Sequence, residues 1–146
     1  MKTLALLLAL TACAQAHPLE SKEVLDRSET AKEATVQHVL LGWSWLASRY
    51  KQMGMSLDQR AEHRNEAQAD ELAAQILERC RRGEKFEQLM REYSEDPGSA
   101  GTGMVYTVNE SSRFVVPFKQ LSLRLKPGEC GAVRSDFGWH VIRRFK

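Results

Sequence analysis

Two histidines stand out for the company they keep. His38 lies in Val36-Gln37-His38-Val39-Leu40-Leu41 and His140 in Gly138-Trp139-His140-Val141-Ile142, each a short β-type run with one imidazole between apolar neighbours. Successive strand side chains point to opposite faces, so His38 shares a face with Val36 and Leu40, and His140 shares one with Gly138 and Ile142. If the two runs pair antiparallel, the imidazoles can meet across the strands in one apolar hollow. No serine or cysteine in a nucleophile context accompanies them, which argues against a hydrolytic triad. The chain has no CxxC, no CxxCH and no clustered Cys/His spacing, so a structural metal or a covalent haem has no support.

The roughly one hundred residues between the histidines must then build the scaffold that closes the hollow. Ala69, Leu72, Ala73, Ile76, Leu77 and Cys80 fall on one face at helical spacing, and Gly83 stands where a left-handed C-terminal cap belongs. Phe86, Leu89, Met90 and Tyr93 repeat the spacing in a shorter helix that should stop at Ser94-Glu95-Asp96-Pro97-Gly98. Val105 to Val108 reads as a strand, Phe114 to Pro117 opens a helix carrying Phe118, Leu121 and Leu125, and Lys126-Pro127-Gly128-Glu129 is a turn. A strand near Gly131 to Arg134 and a final strand to Phe145 complete the order: strand, long helical excursion, strand, helix, strand, strand. Residues 42 to 65 are the least legible. Trp43, Leu46 and Tyr50 suggest a short amphipathic turn interrupted by Gly54; Arg49, Lys51, Arg60 and Arg64, diluted by Asp58 and Glu62, read as a solvated face, with an anion-binding loop at the mouth of a site as the alternative, and His63 reads as a surface histidine.

A chain of 146 residues, 42% hydrophobic and 27% charged, has room for one core. The net charge of +2, with both signs interleaved, leaves no basic stripe for a phosphate backbone, so nucleic acid is not an expected partner. Residues 1–16 have the layout of an export signal: a charge at Lys2, a short apolar run from Leu4 to Leu10, then small residues. Two cleavage sites compete there. Leu10-Thr11-Ala12-Cys13 resembles a bacterial lipobox, which would make Cys13 the lipidated first residue, while Ala14-Gln15-Ala16 suits an ordinary signal peptidase; the shortness of the apolar run favours Cys13. Residues 17–33, charged and aperiodic, read as a tether, with a surface helix packed on the domain as the alternative. Cys80 and Cys130 are expected as two free thiols, since Cys80 keeps helical register as a small buried hydrophobe.

Taken together, these stretches resemble the parvulin-type peptidyl-prolyl cis/trans isomerases. Phe137-Gly138-Trp139-His140-Val141-Ile142 matches the Phe-Gly-x-His-apolar-Ile ending of that family. Gly83 to Phe86, Tyr93-Ser94-Glu95-Asp96, Val116-Pro117-Phe118 and Leu125-Lys126-Pro127-Gly128-Glu129 match further motifs in the same order, over about 110 residues. The resemblance implies an α+β fold over residues 34–146, parvulin-like or FKBP-like: a four-stranded antiparallel sheet with about four helices in the order βα3βαβ2 and the two histidine strands adjacent at its centre. It implies His38, Asp96 and His140 as catalytic residues, and Phe114, Phe118 and Phe137 as walls of a proline pocket. Where the family has Gly-Gly-Asp-Leu-Gly, this chain has Gly101-Thr102-Gly103-Met104-Val105, and Met104 is expected to replace the lining leucine.

The implied activity is rotation about X-Pro bonds of exported or envelope proteins. It needs no metal and no cofactor, because no bond breaks; the barrier of ~18 to 20 kcal/mol is amide resonance. Unfolded, proline-containing segments are the expected partners of a monomer located in the cell envelope or periplasm and touching a membrane only through the Cys13 lipid. A catalytically weak chaperone using the same groove is the alternative, and an adaptor docking through Gly42 to Tyr50 is a third reading.

Overall fold

The computed structural model describes residues 17–146, so the expected export signal and the expected lipidation site at Cys13 lie outside the described residues. Four strands form one antiparallel sheet: β1 (Glu33–Leu41), β2 (Tyr106–Asn109), β3 (Cys130–Ser135) and β4 (Gly138–Arg144), in spatial order β2-β1-β4-β3. The histidine strands β1 and β4 are the central pair, as expected. Around them lie six α-helices among the described residues: α1 (Lys22–Leu25), α2 (Ala47–Gln52), α3 (Gln59–Glu62), α4 (Glu66–Arg81), α5 (Phe86–Tyr93) and α6 (Val116–Arg124). The two beyond the expected four or so are single-turn elements, too short to show a period.

Strand alternation sorts the sheet into two cores. Val39, Leu41, Trp139, Val141 and Ala132 face Ala73, Ile76 and Leu77 of α4 and Phe86, Leu89 and Met90 of α5. Ala34, Val36, Val133 and Ile142 face Phe118, Leu121 and Leu123 of α6. Each fully buried Ile, Leu or Phe there contributes about 1.5–3 kcal/mol. Helix α4 begins with a capping box in which the Gln68 amide N–H donates to Asn65 Oδ1 (2.9 Å) and the Asn65 N–H to Gln68 Oε1 (2.9 Å). It ends where Gly83 takes φ +86°, the left-handed conformation its position anticipated. Pro117 occupies the first turn of α6, where its missing N–H costs nothing.

Three expectations need correction. Residues 17–33 are not a loose tether. The Ser21 N–H donates to the Ala132 carbonyl (2.9 Å), the Ala132 N–H returns a bond to Ser21 Oγ (2.9 Å), Val24 is buried, and Arg27 grips Glu129 through two nitrogens (2.6 and 2.8 Å). The segment thereby caps part of the edge strand β3, whose free backbone groups would otherwise face solvent. Cys80 and Cys130 are not free thiols: they form a disulfide, Cα–Cα 6.3 Å, joining α4 to β3. Helical register placed Cys80 on the buried face but could not say that the face lies over Cys130. Finally, the basic residues of 42–65 are not all solvated, because Arg64 is 14% exposed and paired with Glu95, only 3% exposed.

Candidate active site

The register of the central strands decides the geometry. His38 lies opposite Ile142, and Leu40 opposite His140, so the two imidazoles are diagonal neighbours on one face. Their rings stack nearly parallel (17°) with Nδ1 atoms 3.3 Å apart. His38 Nε2 is 3.0 Å from Asp96 Oδ2, which also accepts from Ser99 Oγ (2.5 Å) and the Tyr106 hydroxyl (2.8 Å). At the other end, Ser135 Oγ lies 2.6 Å from His140 Nε2 and accepts the Phe137 N–H (3.1 Å).

A carboxylate only accepts, so His38 Nε2 carries a hydrogen. Between the two Nδ1 atoms one donates and the other accepts, and the Ser135 hydroxyl, which can donate or accept, completes the chain from Ser135 through His140 and His38 to Asp96 in either direction. Burial, with the facing His38 as a smaller cause, pushes the His140 imidazole down to about 3, so His140 is neutral. For Asp96, burial works to raise the carboxyl, but the bonds from His38, Ser99 and Tyr106 together hold it well below the usual carboxylate range.

Asp96 reaches His38 because the chain before it is sewn onto the end of β1. The Leu40 N–H donates to Ser94 Oγ (3.2 Å) and the Glu95 N–H to the Leu40 carbonyl (2.9 Å). The buried Glu95 carboxylate accepts from the Gly42 N–H (2.6 Å) and Arg64 (2.7 Å), and Arg64 also donates to the Gly42 carbonyl (2.9 Å). Burial raises the Glu95 carboxyl, against the opposing pull of the Gly42 amide and Arg64.

Above the histidines is a cavity of about 280 Å³. Phe118 meets His38 and His140 edge-on (5.1 and 5.4 Å between centroids), and Phe114 packs on Phe118 at 5.1 Å. Phe137, held against Tyr50 at 5.8 Å, closes another side, and Met55, Ser56, Pro97, Arg113 and Val115 surround the mouth. The structure thus brings together His38, Asp96, His140, Phe114, Phe118 and Phe137. Met104 is the exception: it is 43% exposed and lies outside the lining. The Gly103 carbonyl is held by Gln37 Nε2 (2.7 Å), on the sheet face opposite His38, which draws that loop away from the cavity. Met55, from the 42–65 excursion, lines the cavity in its stead.

Sequence reading missed Tyr106, Ser99, Ser135 and the Arg64–Glu95 pair. Tyr106 had a usable signal, since β2 pairs Tyr106 with Val36, two positions from His38 on the same face. The serines had none, because their roles come from where turns end.

Comparison with known proteins bears on this arrangement. A family model described as the PPIC-type PPIase domain matches residues 21–145. Chaperone SurA of Pseudomonas aeruginosa is 37% identical over 84 residues, 57% of this chain and 20% of that protein. Chaperone SurA of Chromohalobacter salexigens is 32% identical over 118 residues, 80% of this chain and 23% of that protein. Foldase protein PrsA of Geobacillus kaustophilus is 35% identical over 75 residues, 51% of this chain and 27% of that protein. The chain therefore spans about a fifth to a quarter of the length of these relatives. A crystal structure of the peptidylprolyl isomerase PrsA from Bacillus cereus aligns with a TM-score of 0.50 at 24% identity, covering 86% of this chain and 38% of that one, a likeness of fold. With almost all of its described residues inside the family match, the chain belongs to the PPIC-type peptidyl-prolyl isomerase family, the parvulins.

Proposed function

We propose that the protein is a peptidyl-prolyl cis/trans isomerase that works on X-Pro bonds of exported polypeptides and assists their folding. The observation that carries this reading is the pair of buried, hydrogen-bonded imidazoles under a phenylalanine-walled cavity. Rotation breaks no bond, so the site needs no nucleophile. It needs an apolar place for the ring, and polar groups that suit the twisted amide better than the planar one. Phe114 and Phe118 supply the first. The ordered chain from Ser135 to Asp96 supplies the second, as polar groups held in fixed orientation. Asp96 acts here as the acceptor that orients the His38 ring through its Nε2–H.

An exported location is supported by the disulfide, since such bonds persist in oxidising compartments, and by the signal-like layout of residues 1–16. We also propose that Cys13 carries a lipid and that the domain acts as a monomer. Mass analysis of the mature N-terminus tests the anchor: a chain starting at unmodified His17 removes it. The activity is tested by the cis-to-trans relaxation of a panel of short X-Pro peptides, with Phe118→Ala and the half-buried Phe114→Ala as controls checked for folding. Acceleration that falls in both controls supports the isomerase.

A second reading, a peptide-holding chaperone module, is favoured by the exposed apolar side chain of Met55 (42%) in the cavity lining. It expects saturable binding of proline peptides by the folded protein with no acceleration.

A further inference from the structure

The charges around the cavity are unevenly spent. Both carboxylates in its lining are engaged inside the protein: Glu95 by Arg64 and the Gly42 amide, Asp96 by His38, Ser99 and Tyr106. Arg113 also lines the cavity, is exposed, and has no carboxylate within ion-pair distance among the described residues. Glu110, the nearest acid along its segment, is turned to Lys119, which lies 4.0 Å from the carboxylate and donates to the Glu110 carbonyl (2.8 Å). The loop that carries Arg113 is not free to swing away. The Asn109 N–H donates to Ser112 Oγ (3.0 Å), the Ser111 N–H to Asn109 Oδ1 (3.1 Å), and the next residue, Phe114, is wedged between Tyr106 and Phe118. A cation is thereby held beside the aromatic wall with no counter-charge in reach.

We infer that Arg113 is a specificity-determining residue that favours an acidic side chain next to the proline of the bound segment. The inference rests on the proline-site reading of the cavity. An unbound guanidinium at the mouth attracts a carboxylate that arrives with the substrate and disfavours a lysine. Because the pair forms at an exposed rim, the expected gain is modest, about two- to fivefold in affinity, and sensitive to salt.

The test measures dissociation constants at low salt, by NMR titration of the whole protein, for four peptides: Ala-Glu-Pro-Phe, Ala-Gln-Pro-Phe, Ala-Pro-Glu-Phe and Ala-Pro-Gln-Phe. Wild type, Arg113→Gln and Arg113→Lys are compared through the Glu/Gln ratio within each variant. The inference expects a preference of about two- to fivefold for Glu at one of the two positions, kept in Arg113→Lys, lost in Arg113→Gln and reduced in about 0.5 M NaCl. Equal binding of Glu and Gln peptides by wild type, or a preference that survives Arg113→Gln, overturns it while leaving the proline site standing. Failure of all four peptides to bind overturns the proline-site reading and the inference with it.

Discussion

Lowering the pH should destabilise this protein through His140 well before its carboxylates are titrated. In the folded chain the imidazole is pushed by burial from the ordinary 6.5 down to about 3, whereas in the unfolded chain it recovers its ordinary value. The unfolded state therefore takes up the proton first as pH falls. Stability from this residue is complete above about pH 6.5 and is lost through the window down to about pH 3. At about pH 5 the folded residue is still neutral and the unfolded one is about 97% protonated, so the loss relative to about pH 8 is about 2 kcal/mol. That figure depends on the unfolded value alone so long as the folded one stays below about 4. The assay is denaturant unfolding of wild type and His140→Gln at both pH values. Glutamine keeps one donor and one acceptor but cannot titrate in this range. Wild type should lose about 2 kcal/mol more than the variant between the two conditions, and the His140 ring resonances should not shift in NMR above about pH 4. Equal pH dependence of the two proteins, or a His140 that titrates near 6.5, would refute the neutral, buried assignment of His140.

Reduction of Cys80–Cys130, or its replacement by Cys80→Ala with Cys130→Ala, opens a 50-residue loop and should destabilise by up to about 4 kcal/mol, read as a lower denaturation midpoint. Asp96→Ala strips the acceptor from three donors, of which His38 and Ser99 are buried and would each cost about 1–3 kcal/mol; calorimetry should show a lowered Tm, and X-Pro relaxation should slow even where the protein remains folded. Glu95→Ala leaves Arg64 unpaired in a nearly closed site and should cost about 3–5 kcal/mol, while Arg64→Met with Glu95→Leu should recover much of that loss; equal stability of the single and double variants would contradict a buried pair. Met104→Ala should leave peptide affinity unchanged and Met55→Ala should weaken it, a contrast measurable in one titration series, since only Met55 lines the cavity.

What could be read from the residues divides by the range of the physics involved. Period-two and period-3.6 patterns report which face of an element is buried, so β1, β4, α4 and α5 were legible, and with them the meeting of His38 and His140. That meeting needed one further fact, antiparallel pairing in the register that sets Leu40 opposite His140, and the matching apolar flanks of the two runs already favoured it. The disulfide needed more, namely which face of the sheet α4 covers, and no local pattern holds that. Cys80 and Cys130 are each ordinary buried positions until helix and strand are stacked.

The same limit explains the segment 42–65. Several of its side chains take their roles from distant parts of the chain, Arg64 from Glu95, Tyr50 from the Phe137 carbonyl and Arg49 from Asp136, so it shows no period of its own. Arg64 looks like one more surface cation until Glu95 arrives from thirty-one residues away to meet it. The altered run Gly101 to Val105 is the converse case, a departure conspicuous in sequence and of little consequence in space. Gln37, itself bonded to Glu87, holds that loop on the far face of the sheet, where Gly103 takes φ +66° and a side chain there would press on Glu87 Cγ at 3.3 Å. Met55 lines the cavity from the opposite loop, so the altered run leaves the lining of the proposed proline site untouched. In the proposed mechanism the chemistry rests on the imidazole chain and on Phe114 and Phe118, none of which that run contacts, so the missing leucine by itself gives no physical reason to expect a lost activity.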